Sequence, residues 1–330
     1  MDDRIAELLA QYDVVVYRAG RIKGAWILET DQGMKQLGSC SYSEGKVRFE
    51  QRLKEYVTEQ GFHTVDQFVP SREGNFLVQG PYNEMFVMRN WFSGEECDAK
   101  NREHVLQAVR VLARLHCAMH HMELSEEEKR FCRQPELPQM LEKRNKELRR
   151  VRTYIRSKKQ KSFFEQKFLS QFDMQYAMAE QAGEILDAEE YREAYRTALE
   201  QGVMLHGNYT HHSIQFLAKG NQLVTGFERA ENGIQIPDFY LLFRKMMEKW
   251  DWDVSLGDSM ISEYDKIRRI TEIEWKLLKV LLVYPEKFWK VANQYYNNRK
   301  SWIPEKNMQK LLQTMEQADR KEESIRAIFP

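Results

Sequence analysis

No stretch of this 330-residue chain approaches the ~20 consecutive apolar residues that a membrane-spanning helix needs. Its first twenty residues carry Asp2, Asp3, Arg4 and Glu7 where a secretory leader would keep an apolar core, so no signal peptide is expected. Neither sign of charge is in excess: Lys+Arg and Asp+Glu both total 50, which removes the global field that would draw the chain onto nucleic acid or an anionic membrane. Cysteine is scarce, and Cys40, Cys97, Cys117 and Cys132 show neither C-x-x-C nor C-x-H spacing. That argues against a metal site and for a reduced, intracellular chain. Cys117, within an apolar helical run, reads as a small core residue. No internal repeat and no low-complexity linker interrupts the chain.

What is present is a soluble globular composition, long enough for two lobes with their own cores. VVVY (14–17) and AWILET (25–30) read as strands around RAGRIKG (18–24), whose Gly20 and Gly24 suggest a hairpin turn. MKQLGSC (34–40) offers a third strand. Residues 46–60 have helical spacing in Val47, Leu53, Tyr56 and Val57 and stop at Gly61. NFLVQ (75–79) and EMFVMRNWF (84–92) follow, with turn chemistry in GPYN between them. From Ser93 the pattern turns helical. Val105, Val109, Leu112, Ala113 and His116 share one face, residues 140–161 form a basic helix, and 187–200 form another. A hairpin follows in SIQFLAKGNQLVTGF (213–227), then helices over 239–248, 259–269, 271–282, 286–297 and 305–325. A mainly β lobe (1–92) before a mainly α lobe (93–330), with a hinge over 90–96, predicts the α+β class.

Between the last N-terminal helix of the second lobe and that hairpin lies HGNYTHHS, giving His206-Gly207-Asn208, then Ser213, then Val224-Thr225-Gly226-Phe227-Glu228. With the ARLH helix (113–116), this frame resembles the aminoglycoside phosphotransferase and choline kinase branch of the protein-kinase-like fold. That branch carries His-Gly-Asp, four residues, Asn, and a hairpin ending in apolar-Asp-Phe. Within the branch the sequence is similar to the spore coat protein CotS family, through FYLLFRKMMEKW (239–250), WDWDVSLGD (250–258) and YPEKFWKVANQYYNNRKSWIP (284–304). The similarity runs from about Val14 to the end.

The resemblance implies a two-lobed kinase-like fold and assigns places to the chemistry. Asn208 stands where the catalytic carboxylate belongs, and an amide is no useful base near neutral pH. Ser213 replaces the metal-binding asparagine with a shorter ligand. Gly226 replaces the main metal-binding aspartate and supplies no ligand atom. The phosphate-clamping lysine maps to Gly38; Lys35 is the nearest cation but stands three positions away, on the opposite face of the strand. The helix acid that would hold that lysine is Glu50, expected to lack a partner. His206, Gly207 and Phe227 keep the scaffold. Asp238 matches a buried aspartate that holds the loop backbone in relatives, and is also an ordinary N-cap candidate, the reading preferred from the residues alone. Glu228 reads as a polar loop residue rather than a metal ligand. No catalytic residue is intact on this reading.

The implied function is that of a non-catalytic, pseudokinase-like coat protein, made in the mother cell and recruited to the spore coat by other coat proteins, with no cofactor. The alternative is a small-molecule phosphotransferase using ATP and Mg²⁺ through a rearranged site around Glu228 and Asp238. The remaining features have plainer readings. His211 and His212 lack the further ligands a metal needs. Arg18, Arg21 and Lys23 read as an exposed hairpin tip. The basic run over 143–161 (Lys143, Arg144, Lys146, Arg149, Arg150, Arg152, Arg156, Lys158, Lys159 and Lys161) reads first as a solvated face and second as a docking face for an acidic partner, not as a nucleic-acid site. Tyr284, Phe288, Trp289, Tyr295, Tyr296 and Trp302 read as core packing.

Overall fold

The computed structural model describes residues 3–22, 24–297 and 305–329; Lys23 and Trp302 lie outside the described residues. A short helix, α1 (Asp3–Leu9), lays Ile5, Leu8 and Leu9 over Leu28, Leu37 and Met88 of the first sheet. That sheet contains β1 (Val16–Ile22), β2 (Ala25–Thr30), β3 (Gly33–Ser39), β4 (Phe68–Val69), β5 (Leu77–Gln79) and β6 (Met85–Asn90). Its order is β1-β2-β3-β6-β4 with β5 also on β6, and every pairing is antiparallel. Strand β1 continues through Arg18 and Arg21, with Gly20 opposite Ile27. The turn expected over RAGRIKG is therefore confined to the residues next to Gly24, whose φ of +88° suits glycine. Between β3 and β4 runs α2 (Glu44–Glu59), started by the Ser43 side chain accepting from Lys46 N and followed by Gly61 at φ +88°.

The second lobe opens with β7 (Gly94–Glu96), which pairs with β9 (Ile214–Leu217), itself paired with β10 (Gln222–Val224). A two-stranded sheet joins β8 (Met204–Leu205) to β11 (Glu231–Asn232). The rest is helical: α3 (Arg102–Ala118), α4 (Leu137–Ser157), α5 (Phe163–Ile185), α6 (Ala188–Glu200), α7 (Ile236–Lys249), α8 (Val254–Asp265), α9 (Glu272–Val283), α10 (Glu286–Asn297), α11 (Glu305–Glu316) and α12 (Ala318–Ile328). The α+β, two-lobed architecture is as expected. Several details are corrected. The basic helix stops at Ser157, so Lys158, Lys159 and Lys161 lie in the loop before α5. Helix α5 escaped the periodicity argument because Phe164, Phe168 and Phe172 are buried while Phe163 and Met174 of the same helix are exposed, leaving no clean polar stripe. Helix α8 begins earlier than expected because the Asp253 carboxylate accepts from Leu256 N at 2.6 Å. Cys117 is exposed on α3 rather than in the core.

Two clusters place the site. The largest unites Phe49, Leu53 and Val57 of α2 with Val105, Leu112, Tyr209 and Phe227 of the second lobe, so α2 is packed into both lobes. Polar ties reinforce this: Lys46 Nζ donates to Phe131 O at 2.7 Å, Arg52 Nη2 to Glu123 O at 2.6 Å, and Val224 N to Thr64 O at 3.0 Å. A second cluster joins α4, α5, α10 and α11 through Leu148, Phe164, Phe168, Phe172, Phe288 and Leu311. Of the aromatic set, Tyr284 and Phe288 are core, Trp289 donates Nε1 to Glu147, and Tyr296 is 47% exposed and not core at all.

Phe168 is fully buried and stacks on Phe288 with ring centres 4.7 Å apart. Phe168→Ala is expected to cost about 3–5 kcal/mol in urea unfolding, against about 0.5 kcal/mol or less for Phe163→Ala on the exposed face of the same helix.

Candidate functional site

The cleft floor is the loop 206–213. His206 N donates to Asp238 Oδ2 at 2.6 Å, and the same oxygen lies 3.3 Å from His116 Nε2. His116 Nδ1 in turn meets Tyr264 OH at 2.6 Å, a chain buried throughout. Asp238 is the third residue of α7, and Gln235 occupies the N-cap position without capping the helix, its amide donating instead to His116 O and Met204 O at 2.9 and 2.7 Å. The N-cap reading is thereby corrected: the carboxylate is spent on the loop backbone. The His206 ring bridges two segments, Nε2 donating to Thr225 O at 3.0 Å while Nδ1 accepts from Asn208 N at 3.3 Å, which fixes the neutral tautomer. Gly207 has φ +76°, and a Cβ there would stand 1.8 Å from Arg229 O, so only glycine lets the loop pass beneath the 227–229 turn.

The three positions expected to depart from the catalytic frame, Asn208, Ser213 and Gly226, converge on this floor. Asn208 is half-buried, and among the described residues its side chain makes no hydrogen bond. Ser213 Oγ accepts from Thr210 N at 3.3 Å and donates to Asn208 O at 3.2 Å, so the hydroxyl closes the loop. Gly226 lies in the left-handed region (φ 90°, ψ 39°), with Glu228 Oε2 and His206 Cε1 each 3.8 Å from where its Cβ would be. Among the described residues no group of three His, Cys, Asp or Glu side chains could hold a metal ion. His211 is buried 3.2 Å from Lys249 Nζ, and burial, with His212 and Lys249 adding to it, pushes its pKa down to about 4. That ring is neutral at physiological pH.

The cleft roof departs from expectation at Glu50. Gly38 sits opposite Val87 on the sheet face that carries Arg89 toward α2, and a Cβ there would touch only Ala25 Cβ at 3.8 Å. Lys35 faces the other way and donates to Gln32 O and Asn90 Oδ1 at 2.7 and 2.8 Å. Glu50, however, is not left alone. Lys54, one turn along α2, puts Nζ 2.6 Å from Glu50 Oε1, 3.0 Å from Asp66 Oδ1 and 2.9 Å from Asp66 O. Arg89 of β6 lies 3.5 Å from Glu50 and 3.8 Å from Asp66. Lys54 is wholly buried, with its ammonium 4.3 Å from the ring centre of Phe68 and 5.8 Å from that of Phe227. Two cations and two carboxylates close on one another. Burial pushes the Asp66 carboxyl up although Lys54 and Arg89 pull against it; at Arg89 burial is outweighed by Asp66 and Glu50, which raise its pKa.

Lys54, Asp66 and Arg89 were missed in the sequence. The available signal was Lys54 itself, a lysine four residues after an acid and flanked by Leu53 and Val57 on the inner side of α2. Glu231 on β11 was missed as well; burial, with the charge of Asp238 added, pushes its carboxyl up to about 7.

Residues 6–328 match the family model described as "Spore coat putative kinase YutH". The chain belongs to this spore coat family. It is also 21% identical over 309 residues to spore coat protein S of Bacillus subtilis (strain 168), covering 92% of this chain and 87% of that protein. Its fold is that of the aminoglycoside phosphotransferases within the kinase-like superfamily. The aminoglycoside phosphotransferase from Alicyclobacillus acidocaldarius subsp. acidocaldarius DSM 446 superposes with a TM-score of 0.85 at 18% identity, over 97% of this chain and 93% of that one. The AMP-bound spectinomycin phosphotransferase APH(9)-Ia gives 0.67 at 9% identity, over 98% and 97%. No helix among the described residues is long and apolar enough to cross a membrane.

Because removing one member of a buried pair strands the other charge, Lys54→Met is expected to destabilise the chain by about 3–5 kcal/mol in urea unfolding. Lys143→Met, on the surface of α4, is expected to change stability by about 0.5 kcal/mol or less. Equal effects of the two substitutions would show that the buried cluster does not hold α2.

Proposed function

We propose that this chain is a catalytically degenerate member of its family that works in spore coat assembly through protein–protein contacts, made in the mother cell and joined to the coat by other coat proteins. The observation that carries the reading is the occupation of Glu50. In a phosphotransferase of this fold the helix acid holds a lysine against the nucleotide phosphates. Here Lys54 of the same helix takes that acid inside the protein, and the strand position for the clamp is Gly38. Asn208, Ser213 and Gly226 complete the case from the floor: an amide without a base function, a hydroxyl spent on its own loop, and a residue with no side chain. The family's spore coat assignment supplies the setting.

Calorimetric or fluorescence melting of the full chain with ATP and Mg²⁺, together with a nucleotide-turnover assay, tests this. The expected outcome is no midpoint rise that requires both and no turnover above background. Turnover near the usual kinase range of about 1–100 s⁻¹ would overturn the reading. A rise that Glu228→Ala abolishes would instead favour the small-molecule phosphotransferase alternative, since Glu228 is the acid that remains beside Gly226.

The partner surface we assign is the basic end of α4 and the loop after it, facing an acidic segment of a coat protein. Much of the run is already engaged: Lys146 with Glu142, Arg152 with Asp173, Lys158 with Glu165, and Arg144 over the Trp289 ring at 4.2 Å. Lys143, Arg150, Arg156 and Lys159 have no such partner among the described residues, and exposed Tyr154 and Tyr296, with ring centres 5.4 Å apart, line one hollow with Arg150. Binding of a poly-glutamate peptide is expected to weaken with salt and with neutralisation of Arg150 and Arg156. Binding indifferent to both would remove the assignment.

A further inference from the structure

The second lobe holds another charged pocket, away from the cleft, where α5, α7, the α9–α10 junction and the α11–α12 break meet. Its volume is about 40 Å³, and its charged walls are Arg244, Glu248, Glu286, Lys287 and Lys321. Three cations thus face two carboxylates, and both carboxylates are already engaged. Glu248 lies 2.6 Å from Arg244 Nη1 and 3.4 Å from Lys287 Nζ. Glu286 lies 3.4 Å from Arg244 Nε and 2.5 Å from Lys290 Nζ, and accepts from Tyr240 OH at 2.6 Å. Burial alone would raise the Glu286 carboxyl, but Arg244 and Lys290 outweigh it and hold it down at about 2.

Lys321 is left over. Among the described residues its ammonium has no hydrogen-bond or ion-pair partner, and it stands 5.7 Å from the ring centre of buried Trp252. Burial, with Arg244 adding to it, pushes its pKa down to about 8, and burial pushes Lys287 down too. Arg244 is 9% exposed, and its Nε has no hydrogen-bond partner. The remaining wall is the start of α12. Gln317 caps that helix without a side-chain bond, because its amide donates to Glu248 O at 3.0 Å, and Ala318, the first helical residue, lines the pocket. The positive end of the helix thus adds to the cationic side. A cation half withdrawn from water without an oxygen partner is costly, and an anion is the group that relieves it.

We propose that this pocket binds one small oxyanion, a free phosphate or carboxylate-sized ion, between Lys321, Lys287 and the uncapped first turn of α12. The space suits about three waters or one such ion and excludes a nucleotide or a sugar. Neither the coat reading nor the phosphotransferase alternative requires this site, and it survives the failure of either.

Thermal unfolding of the full chain at fixed ionic strength, with chloride replaced stepwise by phosphate or by formate, provides the test. A saturable rise over chloride is expected with at least one of them, reaching about 2–4 °C near tenfold excess over Kd. Lys321→Met is expected to remove at least half of the rise and, by deleting a half-buried cation that has no oxygen partner, to leave the chain no less stable in chloride. Lys287→Met serves as the second pocket variant should the first fold poorly. Lys129→Met, at an exposed lysine before α4 that pairs with Glu126, is expected to keep the whole rise. No rise over chloride with either anion, a rise that both pocket variants retain, or a rise that Lys129→Met also loses would overturn the assignment.

Discussion

A lysine ammonium with no access to solvent is the constraint on which the two lobes are arranged. Lys54 stands between Glu50 and Asp66, and Arg89 closes the same pair of carboxylates from the neighbouring strand. Charges so placed must neutralise one another, because the interior cannot solvate any of them alone. The cluster therefore fixes the positions of α2, the segment before β4, and β6 together. Around it, Phe49, Leu53 and Val57 merge with the core of the second lobe, so α2 is held by the protein itself and requires no bound phosphate to neutralise its acid.

This arrangement changes what the cleft can do. A phosphotransferase of this fold leaves its helix acid to a strand lysine that reaches the nucleotide, and catalysis rests on that positioned charge. In this chain the salt link is internal to one helix, and Gly38, the strand position expected for the lysine, has no side chain to offer. Arg89 is partly open to solvent, with its side chain 23% exposed, yet it serves the same two carboxylates. The consequence is an α2 whose acid is neutralised from within the protein. Such a property suits a protein that presents fixed surfaces to neighbours better than one that opens and closes over a substrate.

The sequence made the lobe order, the hairpin and the frame of the loop legible, since these rest on period, turn residues and the fixed spacing between His206 and Phe227. It was weaker wherever partners lie far apart along the chain. Glu50 read as an orphan because its partner was sought on a strand, whereas Lys54 sits one turn away and the rest of the cluster comes from residues 66 and 89. Asp238 read as a helix cap because that role is local; its bond to His206 N spans 32 positions. Helix α5 was lost for a related reason: a helix buried on more than one side carries no single apolar stripe for periodicity to find.

The replaced floor positions differ in how far the backbone has followed the change. At Asn208 an acid would differ from the amide by a single group, on a loop whose backbone is held by Asp238 and the His206 ring. Ser213 has acquired a structural duty, bridging Thr210 N and Asn208 O, so a bulkier ligand there would have to give up a loop-closing bond. Gly226 has gone furthest. There is room for a Cβ, since the nearest atoms lie 3.8 Å away, while φ of +90° falls in the left-handed region, which costs most side chains strain and aspartate less than most. An aspartate at 226 would carry part of that strain, beside a Thr225 O that is pinned by His206 Nε2. Of the three positions, Gly226 is the one where placing an acid would strain the main chain of the hairpin as well as change a side chain.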